Sequence, residues 1–388
     1  MRDDNGLLGK QHFKALDACR GLCAVMVVLF HISANGYFYD WTPIRNGGRA
    51  VSFFFVLSGF VITYAYSGRL RATGDLPDFM IRRFGRIYPL HLFTLALLVL
   101  IELTKLALSL VAHVQSGQAA FSGSNDLWSL LGNLFLLNGV GLFSDFTWNG
   151  PSWSISTEFY TYIVFAVVAV GFRKKAPYVL APLALLFSGL LLWADSVHLG
   201  TTAGLGFLSC LYCFSLGSLT YSAFSFARQH WSPPAWAGTV ALIGIGAAFF
   251  AAFPLRFLLM PLAFAACIFV LAFETGAAAH LLGRPLPQFF GRISYSIYLM
   301  QYVILQVFLG VARVLQSKFH IHIFDTVHGV IMVDFPLKIT NDLFAIVYVG
   351  VVVAASALSY KWVEEPARDY FNGLARKLAG KVKESALS

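Results

Sequence analysis

The chain has 388 residues, of which 58% are hydrophobic and 12% are charged, and its formal net charge is +9. Because a soluble domain carries about 25% charged residues, this composition excludes an ordinary soluble protein. The basic residues lie mostly in short segments between apolar runs, which indicates topology signals and anion contacts, and no basic stretch interleaved with aromatics predicts a nucleic-acid partner.

The first predicted element is the apolar run 16–33, LDACRGLCAVMVVLFHIS. It follows a polar lead and lacks a small-residue cleavage pattern, so we expect it to remain in the mature protein as a membrane helix. Arg20 and His31 lie within it, although ionisable groups are costly inside a bilayer. Their spacing corresponds to about three helical turns, or about 16 Å, which places both on one face at two depths. This face is predicted to line a polar passage.

Apolar windows of about 20 residues predict membrane helices along the chain. The loops that face inward when the N-terminus is inside hold most of the Lys and Arg, which predicts cytoplasmic termini. We therefore predict an all-α fold, a polytopic transmembrane helical bundle of about ten helices, with residues 1–370 as one membrane domain and 371–388 as a basic cytoplasmic tail. The windows lie near 16–36, 50–67, 89–111, 152–172, 177–195, 203–223, 236–253, 256–273, 290–312 and 343–363.

Two windows leave alternatives open. The pair of windows around Pro254 also fits one broken helix. The run 128–140 is too short to span a bilayer, so it is predicted to lie at the surface or to re-enter the membrane.

The second window contains FFFVLSGFVI, with Ser58 and Gly59 near its middle. Small residues let helices or an extended ligand approach closely, and close packing is the expected role of both. No base lies near Ser58 in the sequence, so it is not predicted to be a nucleophile.

The third window begins with MIRRFGRIYPLH, which places Arg82, Arg83 and Arg86 at its inner mouth. Arginine forks bind phosphate groups bidentately. The alternative is simple anchoring of this end to lipid headgroups. Tyr88 fits an interfacial aromatic belt.

The fourth window contains SWSISTEFYTY, which places Glu158 about 9 Å below the outer surface, while His31 lies about 8 Å deep. This matching depth predicts that the Glu158 carboxylate orients the His31 imidazole as a base. The alternative is a buried Glu158 bonded only to neighbouring polar groups. Ser154 and Tyr162, four residues before and after Glu158, share its helical face.

The ninth window contains GRISYSIYLMQY, in which Tyr295, Tyr298 and Gln301 recur every three residues. They can line a polar groove, and an aromatic belt with one buried amide is the alternative. The five cysteines lie in apolar segments without zinc-site spacing, so no metal is predicted.

Six motifs follow one another in order along most of the chain: LDACRGLCAVMVVLFH, FFFVLSGFVI, RRFGRIYPLH, SWSISTEFYTY, SYSIYL and WVEEPAR. Together they resemble the acyltransferase 3 family of membrane O-acyltransferases. The resemblance implies transfer of an acyl group, usually acetyl from acetyl-CoA, to a hydroxyl of an extracytoplasmic carbohydrate or other acceptor, in a bacterial inner membrane.

The resemblance also implies roles for individual residues. The Arg-x10-His pattern of the family falls on Arg20 and His31, its Arg-x2-Arg pattern on Arg83 and Arg86, and its acidic position on Glu158. Many relatives have His where this chain has Gln301, which removes a proton carrier there. The predicted catalytic residues are His31 and Glu158; the donor-binding residues are Arg20, Arg82, Arg83, Arg86 and Tyr88; the substrate pocket is Ser58, Gly59, Trp153, Ser154, Tyr162, Tyr298 and Gln301.

The implied partners are acyl-CoA, a carbohydrate acceptor on the outer side and membrane lipids. Exopolysaccharide, lipopolysaccharide, a lipid-linked glycan and a small secreted metabolite all fit as acceptors. Direct transfer and an acyl-histidine intermediate both remain open. The alternative class is a transporter or flippase for polysaccharide precursors, although no repeat architecture is visible. A structural scaffold gives no reason to bury Arg20, His31 and Glu158.

Overall fold

The computed structural model describes residues 12–66, 68–111, 118–196, 202–252, 255–327 and 330–385. Within these residues the chain is a bundle of helices with a single short hairpin, which confirms the predicted all-α class. The elements are α1 (Lys14–His31), α2 (Thr42–Arg45), α3 (Ala50–Tyr66), α4 (Leu76–Val111), α5 (Leu127–Leu134), α6 (Trp153–Phe172), α7 (Ala176–Ser196), α8 (Thr202–Ala227), α9 (Ala237–Phe250), α10 (Arg256–Leu271), α11 (Gly276–Leu282), α12 (Pro285–Phe319), β1 (Phe324–Val327), β2 (Val330–Val333), α13 (Lys338–Ser359), a π-helical turn (Tyr360–Glu364) and α14 (Glu365–Ser385).

Each predicted window overlaps an α-helix of the structure. The number of spans stays a prediction, because α1 carries Lys14, Asp17 and Arg20 and α9 is short. The described residues contain 6 helical stretches that are long and apolar enough to cross a membrane, or 7 if the bent pair Phe257–Leu271 and Gly276–Leu282 forms one span. The six are Gly47–Tyr66, Thr73–Val111, Gly150–Ala194, Gly204–Ala227, Pro285–Phe319 and Lys338–Ala379.

The boundaries between neighbouring helices have local causes. The stretch Gly150–Ala194 breaks at Arg173, whose φ of 50° turns the chain between α6 and α7. Pro254 lies outside the described residues, and α9 and α10 flank it. The run predicted not to span forms α5, an eight-residue helix about 12 Å long, which confirms that it is too short to cross a bilayer.

The beginnings of α1, α4 and α12 meet at one end of the bundle. The Arg20 side chain on α1 donates to the Gly291 carbonyl on α12 at 2.9 Å, and Tyr295 on α12 donates to the Ile87 carbonyl on α4 at 2.6 Å. Helix α14 packs against the first turns of α4 at this same end. The predicted boundary at residue 370 therefore falls inside a packed helix. The first turns of α1 and helix α14 therefore lie at the same end of the bundle, and cytoplasmic termini stay a prediction.

The opposite end carries the hairpin. Strands β1 and β2 pair antiparallel with Phe324 opposite Val333, and Val333 also bridges to Ala34 just after α1. The Asp342 carboxylate at the start of α13 accepts the backbone N–H groups of Tyr37 and Phe38, both at 3.1 Å. These contacts fix the C-terminal end of α1, which carries His31.

Helices α3 and α8 cross closely because glycines occupy their contact. A Cβ at Gly59 would overlap the Phe214 carbonyl oxygen, and a Cβ at Gly217 would overlap the Val56 carbonyl oxygen. Small residues at such crossings let two backbones approach without a cavity. Gly59 therefore packs against α8, in agreement with the close-packing role expected for it. It is not among the residues that line the cavity described below, so its assignment to the substrate pocket is wrong.

We expect Gly59→Ala to lower the free energy of unfolding by about 1–3 kcal/mol, because the added methyl forces α3 and α8 apart. The measurement is the unfolding temperature in detergent. Gly310→Ala on α12 is the control, since no atom lies within 4 Å of its Cβ position, and it should leave stability unchanged or slightly raised. Equal unfolding temperatures for the two variants would contradict this account of the crossing.

Candidate active site

A cavity of about 210 Å³ lies between α1, α3, α4, α6 and α12. Its α3 wall runs from Val51 to Ile62, which is about 16 Å of helix. The cavity therefore follows α3 for much of the length of that helix. Its lining residues are Arg20, Val51, Phe54, Phe55, Leu57, Ser58, Val61, Ile62, Arg83, Arg86, Ile87, Ser154, Ile155, Glu158, Tyr162, Ser294, Tyr295 and Tyr298.

Glu158 is a hydrogen-bond acceptor on the wall of this cavity. The Ser58 hydroxyl on α3 donates to Glu158 Oε1 on α6. The Tyr162 hydroxyl, one turn along α6, donates to the same oxygen at 2.6 Å. Ser58 Oγ and the Tyr162 hydroxyl are 3.2 Å apart. The carboxylate thus holds a serine from another helix, a base that the sequence around Ser58 does not reveal.

His31 has different partners, so the predicted contact between the His31 imidazole and the Glu158 carboxylate is wrong. His31 Nδ1 lies 2.9 Å from the Val27 carbonyl oxygen on the same helix, and the Gln301 side chain lies beside the ring. A carbonyl only accepts, so Nδ1 carries the proton and Nε2 is the basic nitrogen. The Val27 carbonyl therefore sets the tautomer, the task that the prediction gave to Glu158.

Gln301 connects His31 to the cavity wall. Its side chain is fully buried, and its Nε2 donates to the Tyr298 carbonyl at 3.1 Å, one turn back along α12. Its Oε1 is buried without a hydrogen-bond partner among the described residues. Tyr298 lines the cavity, whereas Gln301, three residues further along α12, and His31 are not among its lining residues. The Gln301 side chain therefore interacts with the His31 ring on one side and with the Tyr298 carbonyl on the other.

The three clustered arginines have different surroundings. Arg82 binds the Asp78 carboxylate through bonds of 2.8–3.0 Å and faces a surface cleft instead of the cavity. Arg86 lines the cavity and forms an ion pair with Glu364. Arg83 also lines the cavity, but among the described residues it has no carboxylate partner.

Arg83 is the cation best placed to bind an added anion. One of its terminal nitrogens lies 3.3 Å from the Tyr66 hydroxyl, and its guanidinium lies 5.3 Å from the centre of that ring. Its Nε is buried and has no hydrogen-bond partner among the described residues. A buried donor without an acceptor is costly, so an oxygen ligand from a bound substrate would satisfy it.

Arg20 also lines the cavity, together with Arg83 and Arg86. Its Nε donates to the Ser294 hydroxyl at 2.9 Å, and its Nη2 lies 3.0 Å from Asp17. These partners fix the guanidinium while leaving it on the cavity wall. Arg20, Arg83 and Arg86 together give the cavity a cationic lining.

Glu364 is a site residue that the sequence reasoning did not assign. It lies in the π-helical turn before α14, is 2% exposed, and accepts the Ser296 hydroxyl at 2.6 Å as well as Arg86. The available signal was its place in WVEEPAR, where two adjacent carboxylates end an apolar helix. Its partner Arg86 is 278 residues away, so no local pattern predicted the pair.

The predicted pocket residues divide into two groups. Ser58, Ser154, Tyr162 and Tyr298 line the cavity, with Ser154 Oγ 2.7 Å from the Tyr298 hydroxyl. The other predicted pocket residues, and the predicted donor-binding residue Tyr88, are not among its lining residues. Trp153 packs against Phe55 and Phe146, Tyr88 stacks on Phe84 and donates to the Leu134 carbonyl, Gly59 faces α8, and Gln301 lies beside His31.

Within the described residues, no group of three or more His, Cys, Asp or Glu side chains is arranged to hold a metal ion. The functional groups on the cavity wall are one carboxylate, six hydroxyls and three guanidinium groups.

Comparisons with known proteins give one family and two relatives. A family model described as "Acyltransferase domain" matches residues 13–361. "Protein 2 in picA locus" of Rhizobium radiobacter is 30% identical over 164 residues, which cover 40% of this chain and 82% of that protein. "Acyltransferase MdmB" of Streptomyces mycarofaciens is 32% identical over 162 residues, which cover 39% of this chain and 38% of MdmB. No solved structure matches the chain.

Proposed function

Because the chain belongs to the acyltransferase 3 family and is an integral membrane acyltransferase, we propose that it moves an acyl group from cytoplasmic acyl-CoA to a hydroxyl of an extracytoplasmic carbohydrate. Acetyl is the proposed acyl group and acetyl-CoA the proposed donor. The proposed acceptor is an exopolysaccharide, a lipopolysaccharide or a lipid-linked glycan at a bacterial inner membrane.

The observation that carries this proposal is the cavity, which combines a cationic lining with a carboxylate-bound serine. Arginine binds phosphate oxygens through charge-assisted hydrogen bonds. The buried Nε of Arg83 has no hydrogen-bond partner among the described residues and can donate to such an oxygen. Ligand pockets for drug-sized molecules measure about 300–1,000 Å³. The cavity of about 210 Å³ therefore suits the acyl-thioester arm of the donor, with its nucleotide outside.

His31 supplies the base for the acceptor in this proposal. Its Nε2 is the basic nitrogen, and it lies near the hairpin end of the bundle, away from the arginines. A neutral imidazole there accepts the proton of the acceptor hydroxyl. The donor and the acceptor thus approach from opposite ends of one passage.

The experiment is to incubate the purified protein in nanodiscs with radiolabelled acetyl-CoA and candidate glycans, and to follow free CoA and labelled glycan. We expect CoA release together with acetylated glycan. If a transported glycan emerges unmodified while acetyl-CoA is neither bound nor cleaved, the acyl-CoA proposal is overturned and a transporter is favoured.

We expect Arg83→Gln to raise the KM for acetyl-CoA by about 10- to 150-fold, because a hydrogen bond to a charged group contributes about 1.5–3 kcal/mol. Arg82→Gln should raise it less, since Asp78 already binds Arg82. Lys174→Gln, an exposed residue in the loop between α6 and α7, controls for loss of one positive charge. Equal KM values in the Arg83 and Lys174 variants would show that Arg83 does not bind the donor.

A further inference from the structure

We propose that Ser58 accepts the acyl group from the donor as a covalent ester, with Glu158 as its general base. This inference rests on the proposed function, because it takes the donor to be an acyl thioester. It differs from both direct transfer and an acyl-histidine, since the acyl group is held by a serine in the middle of α3.

The first support is the nucleophile–base contact. Ser58 lines the cavity, and its hydroxyl donates to Glu158 Oε1. Activation of a serine requires a base within hydrogen-bond reach, itself oriented by a third group. Tyr162 is that third group, since it donates to the same carboxylate oxygen at 2.6 Å from one turn away. Three side chains from two helices thus form a nucleophile, a base and an orienter.

The second support is that the other aliphatic hydroxyls on the cavity wall are committed elsewhere. Ser154 donates to the Pro151 carbonyl at 3.1 Å, and Ser294 donates to the Gly291 carbonyl at 2.9 Å. Among the described lining residues, Ser58 is the serine whose proton goes to a carboxylate. No cysteine is part of this lining.

The third support is the cationic wall around Ser58. Attack on a thioester develops negative charge on the carbonyl oxygen and then on the leaving thiolate. Fixed cations in a site with little water stabilise such charge without reorganisation. Arg20 is fixed by Ser294 and Arg86 by Glu364, so both are held in place before the donor arrives.

The two steps balance. Ser58 Oγ attacks the thioester carbon, Glu158 takes the serine proton, the C–S bond breaks, and the proton passes to the CoA thiolate, leaving acyl-Ser58 and free CoA. The acceptor oxygen then attacks the ester carbon, the bond from that carbon to Oγ breaks, and the proton lost by the acceptor hydroxyl returns to Ser58. A small cavity can therefore serve two large substrates in turn.

The test uses the full chain in nanodiscs with radiolabelled acetyl-CoA and no acceptor. We expect label on the protein, mapped to the peptide of Ser58, and isotope exchange between free CoA and acetyl-CoA. The label should resist neutral hydroxylamine and be released by alkali, as an oxygen ester is. An acyl-imidazole on His31 would be released by hydroxylamine.

Variants separate chemistry from folding. Ser58→Ala should lose both label and exchange, while Ser52→Ala, on the same helix but outside the cavity lining, should keep them. Ser58→Cys should restore label in a hydroxylamine-sensitive form, because the adduct becomes a thioester. Glu158→Gln should slow labelling by about 10²- to 10⁴-fold, the usual contribution of a general base.

The outcomes that overturn the inference are distinct. Acetylated glycan made by the wild type without exchange or label would overturn acyl-Ser58 and leave the proposed function standing. Full transfer by a folded Ser58→Ala variant would do the same. If the wild type releases no CoA with or without acceptor, both the inference and the proposed function are overturned.

Discussion

His31→Ala is expected to lower the rate of acyl transfer to the acceptor by about 10²- to 10⁴-fold, because it removes the general base for the acceptor hydroxyl. The Val27 carbonyl fixes the proton on Nδ1, so the ring presents Nε2 as the basic nitrogen. His31 is outside the cavity that holds Ser58, so the variant should still take up acyl label from the donor. The measurement is labelled glycan in steady state beside labelled protein without acceptor.

A matched histidine controls for this variant. His230 is exposed after α8, far along the chain from both the cavity and the arginine cluster, and His230→Ala should leave both readouts unchanged. If His31→Ala loses the protein label together with transfer, His31 acts on the donor half of the reaction. If the folded variant retains full transfer, the acceptor base lies elsewhere.

The helices were accessible to sequence reasoning because their signals are local. Apolar runs, the basic loops and the short run before α6 each report on their own segment, and each predicted window holds a helix. The depth of a residue in the membrane also depends only on its position along its own helix. The estimate that His31 and Glu158 lie at similar depth did not show whether their side chains face each other.

The facing of side chains is set by packing between distant segments. Ser58 and Gly59 are neighbours in sequence, yet one lines the cavity and the other contacts Phe214 on α8. Adjacent helical residues point about 100° apart, so a motif cannot show which of them meets a substrate. The base for Ser58 is 100 residues away, which explains why no nucleophile is predicted from the residues around Ser58.

Glu364→Ala is expected to lower the free energy of unfolding by about 1–3 kcal/mol, because it leaves the partly buried Arg86 guanidinium and the buried Ser296 hydroxyl without their acceptor. Glu364 is 2% exposed and bonds both Arg86 and Ser296, so a charged group and a buried hydroxyl lose their acceptor at once. The neighbouring Glu365 is the control. It is 43% exposed, lies 3.5 Å from Arg368 and accepts the Tyr360 hydroxyl at 3.0 Å, so Glu365→Ala should cost about 1 kcal/mol. Unfolding in detergent measures both, and equal losses would contradict a structural role for the Glu364–Arg86 pair.

Combining Glu364→Met with Arg86→Met separates stability from donor binding. Replacing both members of a buried ion pair by apolar residues is often neutral or stabilising, so the double variant should recover most of the stability that Glu364→Ala loses. Its KM for acetyl-CoA should nevertheless rise, because the cavity has lost one of its three guanidinium groups. Recovery of both properties would mean that Arg86 serves only the packing of α4 against the π-helical turn. Recovery of stability alone would show that the ion pair with Glu364 holds the Arg86 guanidinium in position to bind the donor.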